Sequence, residues 1–413
     1  MIKEEYRFTT LPNGIRVVTE NLPHVSSFSL GFWFNTGSRN ETRKNNGISH
    51  FTEHMLFKGT SNRSSKKISD DVEKLGGYLN AFTSKEHTCY YGRGVGVHLP
   101  KVFDVISDMV QNSLFKDKDI EKESGVILDE YYDIEDSPEE LIFDRFESNI
   151  FKSHPLHYPI IGTEKNIQTF EQRDFIEYLQ KHYTNNNFLI AASGNVNHSE
   201  IVALAEQKIT SLQKGKVVSK ITLAKTNRSD LLIEKEIQQT HVIIGRETFG
   251  YVDKDRLKVN ILSNIIGEGS SSRLFNVLRE KNGLTYQINS FLNSFADYSA
   301  FGVYFSTNEK QADKATDLVI KEFDKILKNG ITKVELSRAK EYMKGHLIMH
   351  LEGTTNRMIR IAQTNLYLNR TKKIQESIDA IDAITLDGVV EVSKDLLNKD
   401  SLSKVVLCAK RMI

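Results

Sequence analysis

The sequence predicts an α/β fold made of two similar halves, in which short strands alternate with amphipathic helices. Three observations support this prediction. Strand-like and helix-like runs alternate along the chain, a polar lysine-rich stretch interrupts them at residues 213–220, and the order of elements after this stretch resembles the order before it. A chain of 413 residues also has the length of two or three domains. We therefore predict two domains, 1–215 and 216–413.

The first half begins with strands and continues with a succession of helices. Residues 16–20 and 27–34 alternate or run apolar, as strands do. A short helix is predicted to end near Gly59, and a second covers 64–75 because Gly76 begins a glycine pair typical of helix ends. The same reading predicts strands at 78–82, 87–92 and 188–194, and helices at 102–114, 117–136 and from Ser199 onward.

The second half repeats this order of strands and helices. Its predicted elements are strands at 231–234, 241–245, 285–291, 300–307 and 403–408, helices at 255–266 and 271–281, and several helices before the last strand. The repeat is visible in the pattern of elements and hardly at all in residue identity. It favours a duplicated α/β domain.

The pattern His-x-x-Glu-His at His50, Glu53 and His54 carries the clearest chemical signal in the chain. On a helix, residues four apart lie on one face, so two imidazoles placed in this way can bind one metal ion. Glu53 is then close to the metal without being a ligand, where its carboxylate can take a proton from water that the metal activates. The spacing predicts the site of a metal-dependent hydrolase.

A catalytic zinc site needs a third protein ligand, and two glutamates on one predicted helix are the candidates. Glu123 and Glu130 are seven residues apart, which is close to two helical turns, so both carboxylates point the same way. One could bind the metal while the other orients a ligating imidazole. The spacing leaves open which does which, and a solvated pair on a helix surface is the simpler alternative.

Four segments of the chain resemble the pitrilysin/insulinase metallopeptidases, the inverzincins. The resemblance is densest over 50–60, 76–84, 123–130 and 271–286, and the chain looks most similar to the mitochondrial processing peptidase beta-subunit-like bacterial branch. The resemblance implies an α/β (α+β) fold of two homologous domains, each a mostly antiparallel sheet with helices packed on it. Together the two domains would form half of a clamshell chamber.

The same resemblance implies a role for each residue of the zinc site. His50, His54 and Glu130 match the zinc ligands, with one Zn²⁺ per chain, and Glu53 matches the residue that activates water. Glu123 matches the supporting carboxylate. No ligand position departs from the family pattern, which argues against a catalytically inactive relative.

Two further groups of residues match substrate-binding positions of the family. Asn80, Ala81 and Phe82 match an edge strand that binds the peptide backbone, and Arg279 and Tyr286 match a pair that assists at the substrate carbonyl. Without the resemblance, Arg279 reads as a solvated helix residue and Tyr286 as a half-buried strand aromatic.

The predicted function is that of a zinc metalloendopeptidase acting on extended or small peptides inside a chamber formed by a homodimer. Two alternatives are a structural or chaperone-like member without catalysis and a subunit that needs a distinct partner. A run of acidic residues between Asp129 and Glu140 is interpreted as an exposed helix end, with a chamber lining that favours basic substrates as the alternative.

Composition narrows the remaining classes of function. A net charge of +1 does not support a general nucleic-acid or anionic-membrane binder, and no apolar stretch is long enough to span a bilayer. The glycine-rich segment 267–273 lacks the ending of a phosphate-binding P-loop.

Residues 1–7 lack a signal core, so we expect a cytoplasmic bacterial protein, with a processed exported or organellar form left open. Cys89 and Cys408 are expected to be buried thiols.

Overall fold

The computed structural model describes residues 5–215 and 228–410, which form two compact units. The first unit comprises the described residues within 1–131, 158–219 and 348–373, and the second comprises those within 132–157, 220–347 and 374–413.

Each unit is built around one β-sheet. In chain order the strands are β1 (Glu5–Thr10), β2 (Arg16–Asn21), β3 (Ser27–Phe34), β4 (Tyr78–Thr83), β5 (Thr88–Val95), β6 (Phe188–Gly194), β7 (Leu231–Lys235), β8 (Thr240–Phe249), β9 (Gln287–Ser294), β10 (Tyr298–Thr307) and β11 (Ser403–Ala409).

Helices connect the strands and cover the sheets. They are α1 (Ile48–Met55), α2 (Ser65–Glu73), α3 (Leu99–Asn112), α4 (Asp117–Asp136), α5 (Pro138–Ile150), α6 (Glu164–Ile167), α7 (Gln172–His182), α8 (His198–Lys208), α9 (Arg256–Gly267), α10 (Glu309–Asn329), α11 (Lys333–His350), α12 (Thr354–Leu368), α13 (Ile374–Asp382) and α14 (Leu386–Leu396). Between α9 and β9, the segment Phe275–Lys281 is a π-helix.

The two sheets share one strand order. The first runs β1-β2-β6-β3-β5-β4 and the second β7-β11-β8-β10-β9. In each sheet one pair is parallel (β2 with β6, β7 with β11) and every other pair is antiparallel. With β1 set aside, each strand of the first sheet has a counterpart in the second. This confirms the predicted α/β fold of two similar, mostly antiparallel sheets that carry helices.

Strand β3 shows why helices pack on both faces of the first sheet. Its alternate residues Phe28, Phe32 and Phe34 are buried, and Phe32 packs edge-on against Phe103 of α3. Trp33 points to the opposite face, where it lies in a cluster with residues of α12. A central strand with apolar residues on both faces needs cover on both sides.

Each half of the sequence contributes one helix that packs on the sheet formed by the other half. Helix α12 lies in the C-terminal half, yet it packs on β2, β3 and β6. Helix α5 lies in the N-terminal half, yet it packs on β8 and β11. The two helices occupy equivalent places, because β3 and β6 correspond to β8 and β11. The predicted boundary between residues 215 and 216 did not anticipate this exchange, since α5 and its flanking residues belong to the second unit and α12 to the first.

Most predicted elements lie close to observed ones, and some differ. The helix predicted at 117–136 coincides with α4, whereas β1 and α5 were not predicted and the helix predicted at 271–281 is largely the π-helix. Residues 216–220 of the predicted linker lie outside the described residues. Neither cysteine forms a disulfide among the described residues; Cys89 is buried as expected, and Cys408 is only partly buried. Among the described helices, none is both long and apolar enough to cross a bilayer.

Candidate metal centre

Helix α1 begins at a glycine that the surrounding backbone requires. Gly47 has φ +102°, and a Cβ atom there would lie 2.9 Å from the Cα of Gly162. A side chain at Gly47 would therefore be strained and would collide with the neighbouring backbone. The glycine lets the chain turn tightly into the helix that bears His50.

A buried carboxylate fixes the first turn of α1. Glu41 accepts hydrogen bonds from the backbone N–H groups of Gly47 and Ser49 and from the side chain of Asn46, each at 2.8 Å. These N–H groups would otherwise be unpaired at a helix N-terminus. Burial raises the pKa of Glu41 to about 7, against the opposing effect of these hydrogen bonds. Glu41 thus fixes the backbone of Ser49, the residue directly before His50.

Three side chains from α1 and α4 converge on one point. The Nε2 atoms of His50 and His54 lie 3.7 Å and 3.6 Å from Oε2 of Glu130. Ligand atoms of the three residues all lie within 4.8 Å of one another. Donors around a tetrahedral zinc ion with bonds of about 2.0–2.1 Å are roughly 3.3 Å apart. Two imidazoles and one carboxylate are a donor set typical of catalytic zinc, so the residues present fit this ion.

Glu123 lies on the far side of the His54 ring. Its Oε1 is 3.0 Å from Nδ1 of His54, and its carboxylate also pairs with Lys58. Burial would raise the pKa of Glu123, but the hydrogen bonds from His54 and Lys58 hold it below its usual value. An ionised Glu123 accepts a hydrogen bond from the Nδ1–H of His54, which leaves the Nε2 lone pair free for a metal.

The two imidazoles have pKa values shifted in opposite directions. Burial, assisted by the neighbouring charge of His54, lowers the pKa of His50 to about 3. Burial also acts to lower the pKa of His54, but the hydrogen bond to Glu123 and the nearby carboxylates raise it overall. A neutral His50 already has the protonation state of a metal ligand, and a metal at Nε2 of His54 would take the place of a proton.

Glu53 lies beside this group and is held by strand β4. Its Oε2 accepts a hydrogen bond from the hydroxyl of Thr83, the last residue of β4. Burial raises the pKa of Glu53, and the charge of Glu130 adds to this, whereas Thr83 and His54 act in the opposite direction. Glu53 is not a member of the candidate ligand group, which consists of His50, His54 and Glu130.

Strand β4, with the predicted substrate-binding residues, is the last strand of its sheet. Among the described strands it pairs with β5 alone. Asn80 lies along the free edge, where its Oδ1 accepts a hydrogen bond from the backbone N–H of Ala81 at 2.8 Å. Phe82 packs edge-on against Trp33. The geometry of an edge strand is therefore present where the resemblance implied it.

Arg279 and Tyr286 contact each other within the second unit. The Arg279 guanidinium lies 4.7 Å from the ring centroid of Tyr286 and 4.9 Å from that of Phe275, and Nη1 donates to the Tyr286 carbonyl at 3.3 Å. The Tyr286 side chain is 82% exposed. The structure brings the predicted pair together, and the assistance of this pair at a substrate carbonyl stays a prediction.

The acidic run between Asp129 and Glu140 is partly engaged in contacts. Glu135 pairs with Arg145 and Lys235, and Glu139 accepts a hydrogen bond from Gln287. These contacts hold two of its carboxylates within the second unit.

Sequence reasoning missed two groups that support the site, Glu41 and Thr83. Glu41 lies nine residues before His50 in an irregular segment. No periodic pattern in the sequence predicts that a residue so far from the motif caps its helix. Thr83 directly follows the predicted edge strand. Its place beside the motif helix could have suggested a contact, but the partner was not deducible from spacing.

The chain matches two family models. Residues 16–164 match the model described as insulinase (peptidase family M16), and residues 169–343 match the model described as peptidase M16 inactive domain.

Curated relatives extend over almost the whole chain. An uncharacterized zinc protease of Bacillus subtilis, YmxG, is 34% identical over 95% of this chain and 95% of its own. Uncharacterized zinc proteases of Streptomyces coelicolor and Rickettsia felis are 35% and 34% identical, over 95% and 98% of this chain and 87% and 98% of their own.

Two solved structures share the fold. A protease from Helicobacter pylori superposes with a TM-score of 0.90 at 23% identity, over 98% of this chain and 99% of that one. A peptidase M16 inactive domain from Pseudomonas fluorescens superposes with a TM-score of 0.92 at 21% identity, over 98% of both chains. The family models and the curated relatives confirm the predicted family resemblance, and the two solved structures confirm the fold.

Proposed function

Because the chain belongs to the insulinase family, peptidase family M16, we propose that it is a zinc-dependent endopeptidase that hydrolyses extended or small peptides. The observation that supports this most directly is the convergence of His50, His54 and Glu130 on one point, with Glu53 beside them. The alternatives are a structural or chaperone-like member of the family and a subunit active only with a distinct partner, and no contact among the described residues favours either.

The protein's own residues divide the work of peptide hydrolysis. His50, His54 and Glu130 would hold zinc, which when bound supplies Lewis acidity that activates water and polarises the scissile carbonyl. Glu53 accepts the proton of the attacking water and delivers it to the leaving amine nitrogen. Glu123 keeps His54 in the tautomer that offers Nε2. Hydrolysis is thereby assigned to a single compact group on α1 and α4.

Negative charge that develops on the substrate oxygen needs a donor, and Arg279 and Tyr286 are suited to this task. A guanidinium and a phenol can both donate hydrogen bonds to an oxyanion. Their mutual contact presents both donors from one exposed surface of the second unit.

The free edge of β4 supports a backbone-based mode of substrate binding. A peptide added beside Asn80, Ala81 and Phe82 would gain main-chain hydrogen bonds that do not depend on its sequence. The carbonyl of such a peptide would replace Asn80 at the N–H of Ala81. We expect unstructured peptides to be cleaved and folded proteins to resist, because only an extended chain can pair with an edge.

The proposed assembly is a homodimer that encloses a chamber, with one zinc ion per chain. In this arrangement Arg279 and Tyr286 of one chain assist at the zinc site of the other. Mixing Glu53→Gln chains with Arg279→Ala chains tests the arrangement, since each mixed dimer would hold one complete site. Regained turnover supports sharing between chains, and no regain in demonstrated mixed dimers contradicts it.

The central test combines metal analysis with product analysis. The purified chain is expected to hold close to one zinc ion, to cleave a mixed peptide pool, and to lose cleavage on treatment with a chelator. Glu53→Gln is expected to keep the zinc and to reduce turnover by roughly 10²–10⁴-fold, the range of a general acid–base group. A folded chain that holds zinc without hydrolysis, alone and as a dimer, would point to the alternatives.

A further inference from the structure

Thr83 connects the proposed general base to the proposed substrate strand. Its hydroxyl donates a hydrogen bond to Oε2 of Glu53, and no other described residue forms a hydrogen bond with the Glu53 side chain. Thr83 is also the last residue of β4, one position beyond Phe82. The carboxylate that would move the proton is thus tied to the strand that would carry the peptide.

The turn that follows Thr83 is held from within. The hydroxyl of Ser84 accepts hydrogen bonds from the N–H groups of Glu86 and His87, and the N–H of Ser84 donates to the carbonyl of His87. These bonds close the hairpin between β4 and β5. They fix the backbone directly beside Thr83.

Buried contacts anchor the same turn from outside. Residues 85–87 are almost fully buried, although turns usually lie at the surface. The carboxylate of Glu86 is shared between Arg39 and the hydroxyl of Tyr367 on α12, and Lys85 donates to the carbonyl of Tyr158. A turn anchored by a buried ion pair gives Thr83 little freedom to move away from Glu53.

The hydrogen bond leaves one oxygen of Glu53 free. Thr83 occupies Oε2, so Oε1 remains available to accept a proton from water. A glutamate side chain has three rotatable bonds, and a displacement of about 1 Å in a catalytic group can cost about 10²-fold in rate. A single fixed donor on Oε2 restricts these rotations without blocking the second oxygen.

We propose that Thr83 is a positioning residue that holds the Glu53 carboxylate in the orientation needed for proton transfer and couples this orientation to strand β4. The inference rests on the proposed function, because it concerns the same proton transfer. Peptide pairing along β4 and the orientation of Glu53 then depend on one strand end. The hydroxyl of Thr83 donates its hydrogen bond to Glu53, so Thr83 would act through that carboxylate.

The first test compares Thr83→Val, which keeps the shape and removes the donor, with Thr83→Ser, which keeps the donor. Thr83→Val is expected to lower kcat by roughly 10–100-fold, as losses of supporting hydrogen bonds do, with KM, zinc content and Tm near wild type. Thr83→Ser is expected to stay within about threefold of the wild-type kcat because a hydroxyl remains. If Thr83→Val does not fold, Thr83→Ala replaces it in the same comparison.

Thr88 supplies a matched control. It lies opposite Thr83 on β5 and donates its hydroxyl to the carbonyl of Thr36, away from Glu53. Thr88→Val is expected to lower Tm and to leave kcat unchanged below the unfolding transition. A loss of kcat in both variants would mean that the hairpin, and not the bond to Glu53, is responsible, and would overturn the inference.

The second test repeats Thr83→Val in the Glu53→Gln background. If Thr83 acts through Glu53, the double variant has the same residual turnover as Glu53→Gln alone, and its peptide Kd and zinc affinity are unchanged. A further loss in the double variant contradicts the inference. A Thr83→Val variant with wild-type kcat, measured alongside an inactive Glu53→Gln variant, also contradicts the inference. The proposed function remains supported in that case. A wild-type chain without zinc-dependent hydrolysis removes the proposed function and this inference with it.

Discussion

The two units place different helices at the same position of the same scaffold. Between the central strand β3 and the edge strand β4, the first unit has α1 with its two histidines and a glutamate. Between β8 and β9, the second unit has α9, whose buried residues include Val259, Leu262 and Ile265. Helix α1 carries two of the three candidate metal ligands, whereas helix α9 fills the hydrophobic core of its unit.

The two units nevertheless keep the same kind of anchor after these helices. Arg63 precedes α2 by two residues and bonds to Asp71, Asp104 and Asp108. Arg273 precedes the π-helix by two residues and bonds to Glu335. The same kind of anchor is therefore present with and without metal ligands, and among the described residues the candidate ligand group, from α1 and α4, lies in the first unit alone.

The largest expected difference between the units is in metal content. His54→Ala is expected to reduce bound zinc from about one ion per chain to near zero and to abolish hydrolysis, because two donors hold zinc poorly. His241→Ala in β8 removes a histidine that contacts Tyr304 in the second unit and should leave zinc content unchanged. Metal analysis of gel-filtered protein checks both. Zinc retained by His54→Ala would refute the proposed centre.

The exchanged helix α12 offers the second comparison. Arg357 on α12 pairs with Glu20 of β2, whose side chain is 1% exposed. Arg357→Ala leaves that carboxylate buried without its cation, so we expect a loss of about 3–5 kcal/mol in the free energy of unfolding of the first unit. Trp33, the single tryptophan of the chain, packs on Met358 and reports the transition by fluorescence.

A double variant separates charge from packing at this helix. Arg357→Met combined with Glu20→Gln removes both charges and should recover part of the loss seen in Arg357→Ala. If the double variant is as unstable as Arg357→Ala, the loss in the free energy of unfolding comes mainly from the packing of α12 and not from the ion pair.

A smaller effect is expected for the residue that supports His54. Glu123→Ala removes the acceptor at Nδ1, so we expect zinc affinity to fall roughly 10–100-fold, or about 1.4–2.7 kcal/mol. Competition with a chromophoric chelator measures this change. Glu121→Ala, a variant of an exposed residue on the same helix, is the control. Equal affinities in the two variants would show that Glu123 does not support the ligand.

The smallest expected effect concerns pH and the anchor at Arg63. Burial would raise the pKa of Asp104 and Asp108, but hydrogen bonds that include those from Arg63 hold both below their usual value. A carboxyl with a folded-state pKa below the unfolded value stabilises the fold above about pH 3.8 and loses this contribution as the pH falls. Stability of the first unit should therefore decrease in acid.

Arg63→Met is expected to weaken this dependence. We expect a loss of roughly 0.5–1 kcal/mol at pH 7, because the arginine is partly exposed, and convergence with wild type toward pH 2–3. Unfolding midpoints followed by Trp33 fluorescence between pH 3 and 7 check this. Arg273→Met, the matched variant in the second unit, should leave the Trp33 transition in place. A constant difference at all pH values would contradict the assigned cause.

Local patterns in the sequence predicted most of the elements and the chemistry of the site, but not the contacts that join distant segments. The spacing of His50 and His54 places both on one face of a helix, and this needs no tertiary information. Glu123 and Glu130 could not be assigned by spacing, since both point the same way. The structure separates them, with Glu130 at the two Nε2 atoms and Glu123 at Nδ1 of His54.

Contacts that depend on tertiary packing escaped prediction. The cap of α1 by Glu41 links an irregular segment to a helix, and no periodicity encodes it. The exchange of α5 and α12 escaped for the same reason, because amphipathic helices carry an apolar face that does not specify which of two similar sheets will cover it.

The reciprocal placement of α5 and α12 has a consequence for the history of the gene. A chain cut between residues 215 and 216 would yield two fragments. Each would lack the helix that covers one face of its sheet and would carry the helix that covers the other fragment's sheet. We therefore expect that neither half, expressed alone, folds as an independent unit. We also expect the two halves to be retained together in one gene, since each supplies a helix that covers the sheet of the other.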